Sequence, residues 1–284
     1  MPMDNRLLRP RQTIHPEAAD WKNRVIANGG TVSGSTLAAV SRFCRSVDAA
    51  GIRDKFYRLN LFCGDNLSAA LVPLYRAESF TASVRGNSTD TNNNFVSGDF
   101  NNTGSSSGLA GNGTSKFLNT GLVANSLTAT NTHLGVGLRS VSDTSGYRTL
   151  IGAWNGLVSG AQIMQVSVRR ADASRNCIFG DFATASHFFG DAVNSTNLAT
   201  GNIVAAWPAM YRNGTASGTS ATASTNYTSA HNIYVFALDN GGSTAADYTN
   251  ARVNWYSIGL TMTAAQVASF DSALASFNAT LSRT

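Results

Sequence analysis

The sequence predicts a mainly β protein: an antiparallel β-sandwich preceded by an extended N-terminal arm and a small helical module. Three observations point there. Charged residues fill only 13% of the 284 positions while 43% are hydrophobic, and the missing charge is replaced by Gly, Ser, Thr, Asn and Ala, as in chains of many short strands and polar loops. Apolar residues keep a helical period only near the two ends. Between them, from about residue 112, short apolar runs alternate with turn residues and no long helix intervenes.

Residues 1 to 16 show no periodicity and carry Arg6, Arg9 and Arg11 among Pro2, Pro10 and Pro16. They read as a docking arm that lies across a neighbouring subunit, with Leu7 and Leu8 buried there and Arg6, Arg9 and Arg11 reaching carboxylates. The same composition also fits a frayed terminus. Residues 17 to 80 read as the helical module. Trp21, Val25 and Ile26 share one side of a first helix that stops at Asn28-Gly29-Gly30, where glycine accepts the left-handed conformation. Ser33 or Ser35 caps a second helix whose apolar positions Leu37, Val40, Phe43, Cys44 and Val47 keep the 3.6 period until Gly51. Cys44 is therefore expected in the core rather than as a reactive thiol. A strand is expected at 56–63.

Residues 81 to 111 are rich in Asn, Ser, Thr and Gly and read as a linker or a long ordered loop, with Phe95, Val96 and Phe100 arguing for some packing. The sandwich is expected over 112 to 284, with strands at 115–119, 133–139, 147–153, 162–169, 176–179, 203–211, 232–238 and 252–260. Asn213-Gly214 tolerates the positive φ angles of a two-residue hairpin turn. Thr263 to Gln266 matches a capping box, and Val267, Phe270, Leu274, Phe277 and Leu281 form one apolar stripe on a last helix.

The net charge of +5 lies wholly in residues 1 to 60, which hold ten Lys and Arg against five Asp and Glu. That excess describes either a surface for an acidic partner or a solvated helical face. Three scattered cysteines suggest neither a disulfide framework nor a zinc site, and no apolar run approaches membrane-spanning length. With no signal-peptide h-region, synthesis in a reducing cytoplasm without export is expected. The four histidines lack a metal-ligand spacing such as H-x-x-x-H, and no nucleophile elbow, phosphate loop or calcium loop is present. No catalytic residue, metal ligand or cofactor is therefore assigned. Glu17 and Glu78 are the sole glutamates and both lie outside the expected sandwich, which disfavours an enzyme acting on polysaccharide. Calcium held by loop aspartates such as Asp90, Asp99, Asp143, Asp181, Asp239 and Asp247 has no motif behind it, since aspartate commonly stabilises turns. Tyr147, Trp154 and Trp207 are candidate glycan-binding aromatics, although aromatics on sheet faces are more often buried.

The closing portion, AMYRNGT, then IYVFALDNGG, then RVNWYSIGLTMTAAQVASFDSALASF, resembles the end of a LamG-like (concanavalin A-type) jelly-roll domain, over roughly 112 to 284. The stretches NRLLRPR and Asp20 to Arg76 resemble the front ends of tailed-bacteriophage proteins that carry such a domain. The resemblance implies a non-enzymatic virion structural protein, a decoration, fibre or tail-appendage component. It would dock on other virion proteins, in several copies or as a homo-oligomer, without a nucleic-acid partner. A carbohydrate-binding module recognising host surface glycan is the alternative.

Overall fold

The computed structural model describes residues 13–77, 82–142, 146–156, 162–169, 177–181, 201–206, 209–219, 227–228, 230–242 and 244–283. The first helices begin and end where their own residues provide for it. Helix α1 (Pro16–Ala27) has proline at its first position, where the missing N–H is no loss, and the His15 ring accepts from the Glu17 amide. It stops at Gly29, φ +73°. Helix α2 (Gly34–Ala49) is capped by Ser33, whose hydroxyl accepts from the Thr36 amide at 3.2 Å. Two single-turn helices follow, α3 (Leu67–Ala70) and α4 (Ala82–Arg85). The last helix, α5 (Ala264–Thr280), is closed by a reciprocal capping box: Gln266 N donates to Thr263 Oγ1 and Thr263 N to Gln266 Oε1.

The strands in chain order are β1 (Phe56–Asn60), β2 (Tyr75–Arg76), β3 (Thr91–Asn93), β4 (Phe100–Asn101), β5 (Gly108–Ala110), β6 (Phe117–Val123), β7 (His133–Ser140), β8 (Arg148–Trp154) and β9 (Gln162–Arg169). They continue as β10 (Cys177–Asp181), β11 (Gly201–Ala206), β12 (Ala209–Arg212), β13 (Thr215–Thr219), β14 (Asn232–Val235), β15 (Leu238–Asn240), β16 (Thr244–Ala246) and β17 (Arg252–Gly259). One sheet runs β13-β12-β11-β7-β17-β1-β2, with β5 also on β17 and β4 on β5. The other runs β10-β9-β8-β14-β6-β3, with β15 on β8 and β16 on β15. Among the described residues the β15–β8 pair is parallel and the rest are antiparallel.

Alternation along β7 builds two cores at once. Leu134, Val136 and Leu138 face inward, where they meet Leu150 and Ile151 of β8, Val166 of β9 and Val235 of β14. The intervening Gly135 and Gly137 face the other way, toward the helices. A Cβ on Gly137 would lie 2.3 Å from Trp255 Nε1, so the bare backbone there is what lets the indole lie against the strand. On this outer face Trp255 and Phe56 join Trp21, Val25, Phe43 and Val47 of α1 and α2, with Phe270, Leu274 and Phe277 of α5, in a second core. Phe270 is wholly buried, its ring 4.9 Å from Phe56 and 5.2 Å from Trp255.

The expected class, a LamG-like jelly-roll sandwich preceded by a separate arm and helical module, is corrected by this arrangement. A large apolar surface on the outer face of β1 and β17 has to be covered, and α1, α2 and α5 form a third layer over it. Strand β1, which the sequence places among the helices, pairs with β17 and with the edge strand β2 in the larger sheet. Polar ties hold these parts in register. Arg58 of β1 and Asp90, both fully buried, pair at 2.7 Å, while Tyr256 and Asn60 donate to the same carboxylate. Arg283 is buried too, and it donates to the carbonyls of Leu61, Phe62 and Asn102. No helix among the described residues is long and apolar enough to cross a membrane.

Candidate functional site

Four arginines from four different elements converge beside α1. Glu17, Asp20 and Arg24 recur on one face of that helix, three and four residues apart. Arg53 comes from the 3-10 turn before β1, Arg76 from β2 and Arg85 from α4. Together with Leu74 and Ala77 they line a half-open cleft of about 210 Å³.

Most of these groups are held from behind. Arg24 Nε donates to Asp20 at 2.7 Å, and its terminal nitrogens donate to the Pro73 and Leu74 carbonyls at 2.7 and 2.9 Å. Arg53 pairs with Glu17 and stacks over the Tyr75 ring, 4.1 Å from its centroid. Arg85 Nε donates to Ala77 O at 3.0 Å. Arg76 is the exception: one terminal nitrogen donates to Gly86 O at 3.0 Å, but its buried Nε has no partner. Burial, then the charges of Arg58, Arg24 and Arg85, push the Arg76 guanidinium down to about 10. Burial raises Glu17 above the usual carboxylate range, against the pull of Arg53. With four guanidinium groups and two carboxylates lining it, the cleft carries a net charge of +2.

Behind the cleft lies a second cluster. His15, Glu17 and Cys44 present donor atoms within 4.8 Å of one another, a grouping that no H-x-x-x-H spacing in the sequence announces. The usable signal was His15-Pro16-Glu17 opening a helix that packs on the one bearing Cys44. Burial pushes the Cys44 thiol up to about 12, so the free thiol is inert.

The candidates read from the sequence fall elsewhere. Arg6, Leu7, Leu8, Arg9, Arg11 and Trp207 lie outside the described residues. Tyr147 is exposed just before β8 and Trp154 is half-buried at its far end, so about 23 Å of strand separates them. Several loop aspartates have structural duties. Asp90 neutralises Arg58, Asp99 pairs with Lys116 at 2.6 Å, and Asp239 accepts the Asn232 and Gly242 amides at 3.1 and 2.9 Å.

No protein-family model matches the chain, and no curated protein does. Among solved structures it is similar to Trypanosoma rangeli sialidase in complex with sialic acid, with a TM-score of 0.42 at 11% identity over 83% of this chain and 38% of that one. It is also similar to a mutant of that sialidase displaying trans-sialidase activity, with a TM-score of 0.43 at 10% identity over 85% of this chain and 39% of that one. The chain thus spans about two-fifths of the length of these enzymes. A superposition this loose transfers neither an activity nor a residue. Neither of these structures is a phage virion protein or a LamG-type domain, and no family model matches, so the expected reading as a non-enzymatic LamG-type virion protein docked among other virion proteins is withdrawn. The physical reason is that the segments carrying that resemblance are local. An Asn-Gly hairpin, two short strands and a strand followed by an amphipathic helix occur wherever a helix covers an antiparallel sheet.

Proposed function

We propose that the arginine-lined cleft recognises a carboxylate-bearing sugar. The observation that carries this reading is the convergence of Arg24, Arg53, Arg76 and Arg85 on one small cavity, with the buried Nε of Arg76 left without a partner. A guanidinium matches a carboxylate as a two-pronged, charge-assisted donor. Glu17 and Asp20 in the same cleft decide the rest of the ligand. They repel a phosphate dianion more than a monovalent carboxylate, and they accept hydrogen bonds from hydroxyl groups, which a sugar supplies. At about 210 Å³, the cleft is smaller than the roughly 300–1,000 Å³ of pockets for drug-sized molecules and suits a single ring.

Isothermal titration calorimetry with sialic acid, glucuronate, glucose and inorganic phosphate tests the proposal. The acidic sugars are expected to bind at least tenfold more tightly than glucose or phosphate. Replacing Arg76→Gln removes a charged hydrogen bond worth about 1.5–3 kcal/mol, a loss of roughly ten- to a hundredfold in affinity. Equal binding of glucose and glucuronate, or binding that survives Arg76→Gln, would overturn it.

A further inference from the structure

Three chemically different donors meet where α1 crosses α2. His15 caps α1, Glu17 sits in its first turn and Cys44 lies midway along α2. Their imidazole, carboxylate and thiol atoms all fall within 4.8 Å of one another. Zinc bonds of about 2.0–2.3 Å in a tetrahedral shell place ligand atoms roughly 3.3–3.8 Å apart, so a small side-chain adjustment closes the trio on an ion.

The surroundings independently call for a cation. Glu17 Oε1 accepts from Arg53, but Oε2 is buried without a hydrogen-bond partner. The Tyr75 hydroxyl, on a residue wholly buried, has the Cys44 thiol as its hydrogen-bonding neighbour and the Glu17 carboxylate nearby. A buried carboxylate oxygen with no donor, beside a thiol, is an unfavourable arrangement. An ion satisfies Oε2 directly and, by ionising the thiol, strengthens the hydrogen bond the tyrosine hydroxyl donates to it.

The outer contacts are arranged to match. His15 Nε2 lies 2.8 Å from Asp48 Oδ2, which places the ring proton on Nε2, and Nδ1 accepts from the Glu17 amide in a long bond of 3.3 Å that an ion would replace. A carboxylate behind a histidine is the usual way a ligating imidazole is oriented. Charge balances as well: a divalent ion with Arg53 sums to +3, and the Cys44 thiolate, Glu17 and Asp48 sum to −3. Sulfur, nitrogen and oxygen together select zinc over calcium or magnesium, which prefer oxygen alone.

We propose that His15, Glu17 and Cys44 form a zinc site between the first two helices, with Asp48 as the positioning residue for the imidazole and Tyr75 donating to the thiolate. Glu17 also lines the arginine cleft, so the ion would sit next to it. The site does not depend on the identity of the cleft's ligand.

The test uses the full chain, stripped with chelator and titrated with Co²⁺ and then Zn²⁺ in the absence of sugar. One equivalent of cobalt is expected, with a thiolate-to-cobalt charge-transfer absorption that Zn²⁺ abolishes. Cys44→Ser should remove that absorption while Cys63→Ser keeps it. His15→Ala and Glu17→Gln should each weaken zinc, measured by chelator competition, at least tenfold, and Asp48→Asn by about ten- to a hundredfold. If Cys44→Ser fails to fold, the partly exposed His15 decides: Zn²⁺ should raise the melting temperature of the parent protein and leave that of His15→Ala unmoved. Sub-stoichiometric cobalt without the thiolate absorption, or zinc affinity unchanged in His15→Ala and Glu17→Gln, would sink the site. Zinc binding that stands while acidic sugars fail to bind would separate this site from the saccharide reading.

Discussion

Acidification should destabilise this fold through a single imidazole. His133, at the start of β7, is completely buried. Its Nδ1 lies 2.6 Å from Leu260 O and its Nε2 3.0 Å from Ser257 Oγ, with the ring edge-on to Phe56. A carbonyl can only accept, so Nδ1 carries the proton and Nε2 accepts from the serine hydroxyl; the ring is neutral. Burial, helped by the charge of Lys55 and opposed by the Leu260 carbonyl, lowers its pKa from 6.5 to about 4. The unfolded chain therefore takes up a proton near 6.5, and the folded chain does not until about 4. Between those values the unfolded state binds more protons, so stability is full above the window and falls as pH drops through it. A separation of about 2.5 units corresponds to about 3 kcal/mol, a large share of the ~5–15 kcal/mol that holds a domain folded. Urea unfolding of the parent and of His133→Gln between about pH 7 and about pH 4 measures it. Other carboxyl groups titrate in both proteins, so the difference between the two curves isolates the imidazole. The parent should lose about 3 kcal/mol more than the variant. Parallel curves would refute a neutral buried ring.

Two further substitutions probe the architecture. Asp90→Ala leaves the wholly buried Arg58 without its counter-charge and should cost about 3–5 kcal/mol in chemical unfolding; a loss under about 1 kcal/mol would mean that water reaches the pair. Phe270→Ala empties the contact among Phe56, Trp255 and α5 and should cost about 3–5 kcal/mol, read as a lower urea midpoint at unchanged slope.

The parts legible in the sequence are those governed by neighbours in the chain. The strand expected at 162–169 is β9 to the residue, because its apolar run is bounded on both sides. Asn213 and Gly214 adopt φ +47° and +74°, as a two-residue hairpin requires, and both bonds of the capping box at Thr263 are present. The stretch read as linker or loop contains β3, β4 and β5. These short strands have weak patterns of their own and are set by distant partners, β6 for β3 and β17 for β5, and by the anchoring of Asp90 to Arg58. Tertiary context overrides propensity there. The cleft was half visible. The excess of positive charge in the first 60 residues was plain, but its focus on one cavity depends on β2 pairing with β1, which brings Arg76 beside Arg53 and Arg24. Of the candidate glycan aromatics, Tyr147 lies just before β8 and Trp154 at its far end, so the two described ones do not share a surface.

The pairing of β1 with β17 joins Arg58 to Ile258 and Leu59 to Ser257, so this part of the larger sheet closes a loop of about two hundred residues. Contacts of that range come late, because the loop-closure entropy must be met before any ladder bond rewards it. During synthesis α1 and α2 leave the ribosome with their aromatic undersides facing water, and they have no sheet to dock on until β17 and α5 follow. For that interval the nascent chain carries Trp21, Phe43 and Phe56 exposed beside an unpaired strand, the kind of surface on which chaperones act and aggregation begins. A slow, single-step refolding reaction and a yield that falls with protein concentration are the kinetic marks such a connectivity leaves on the molecule.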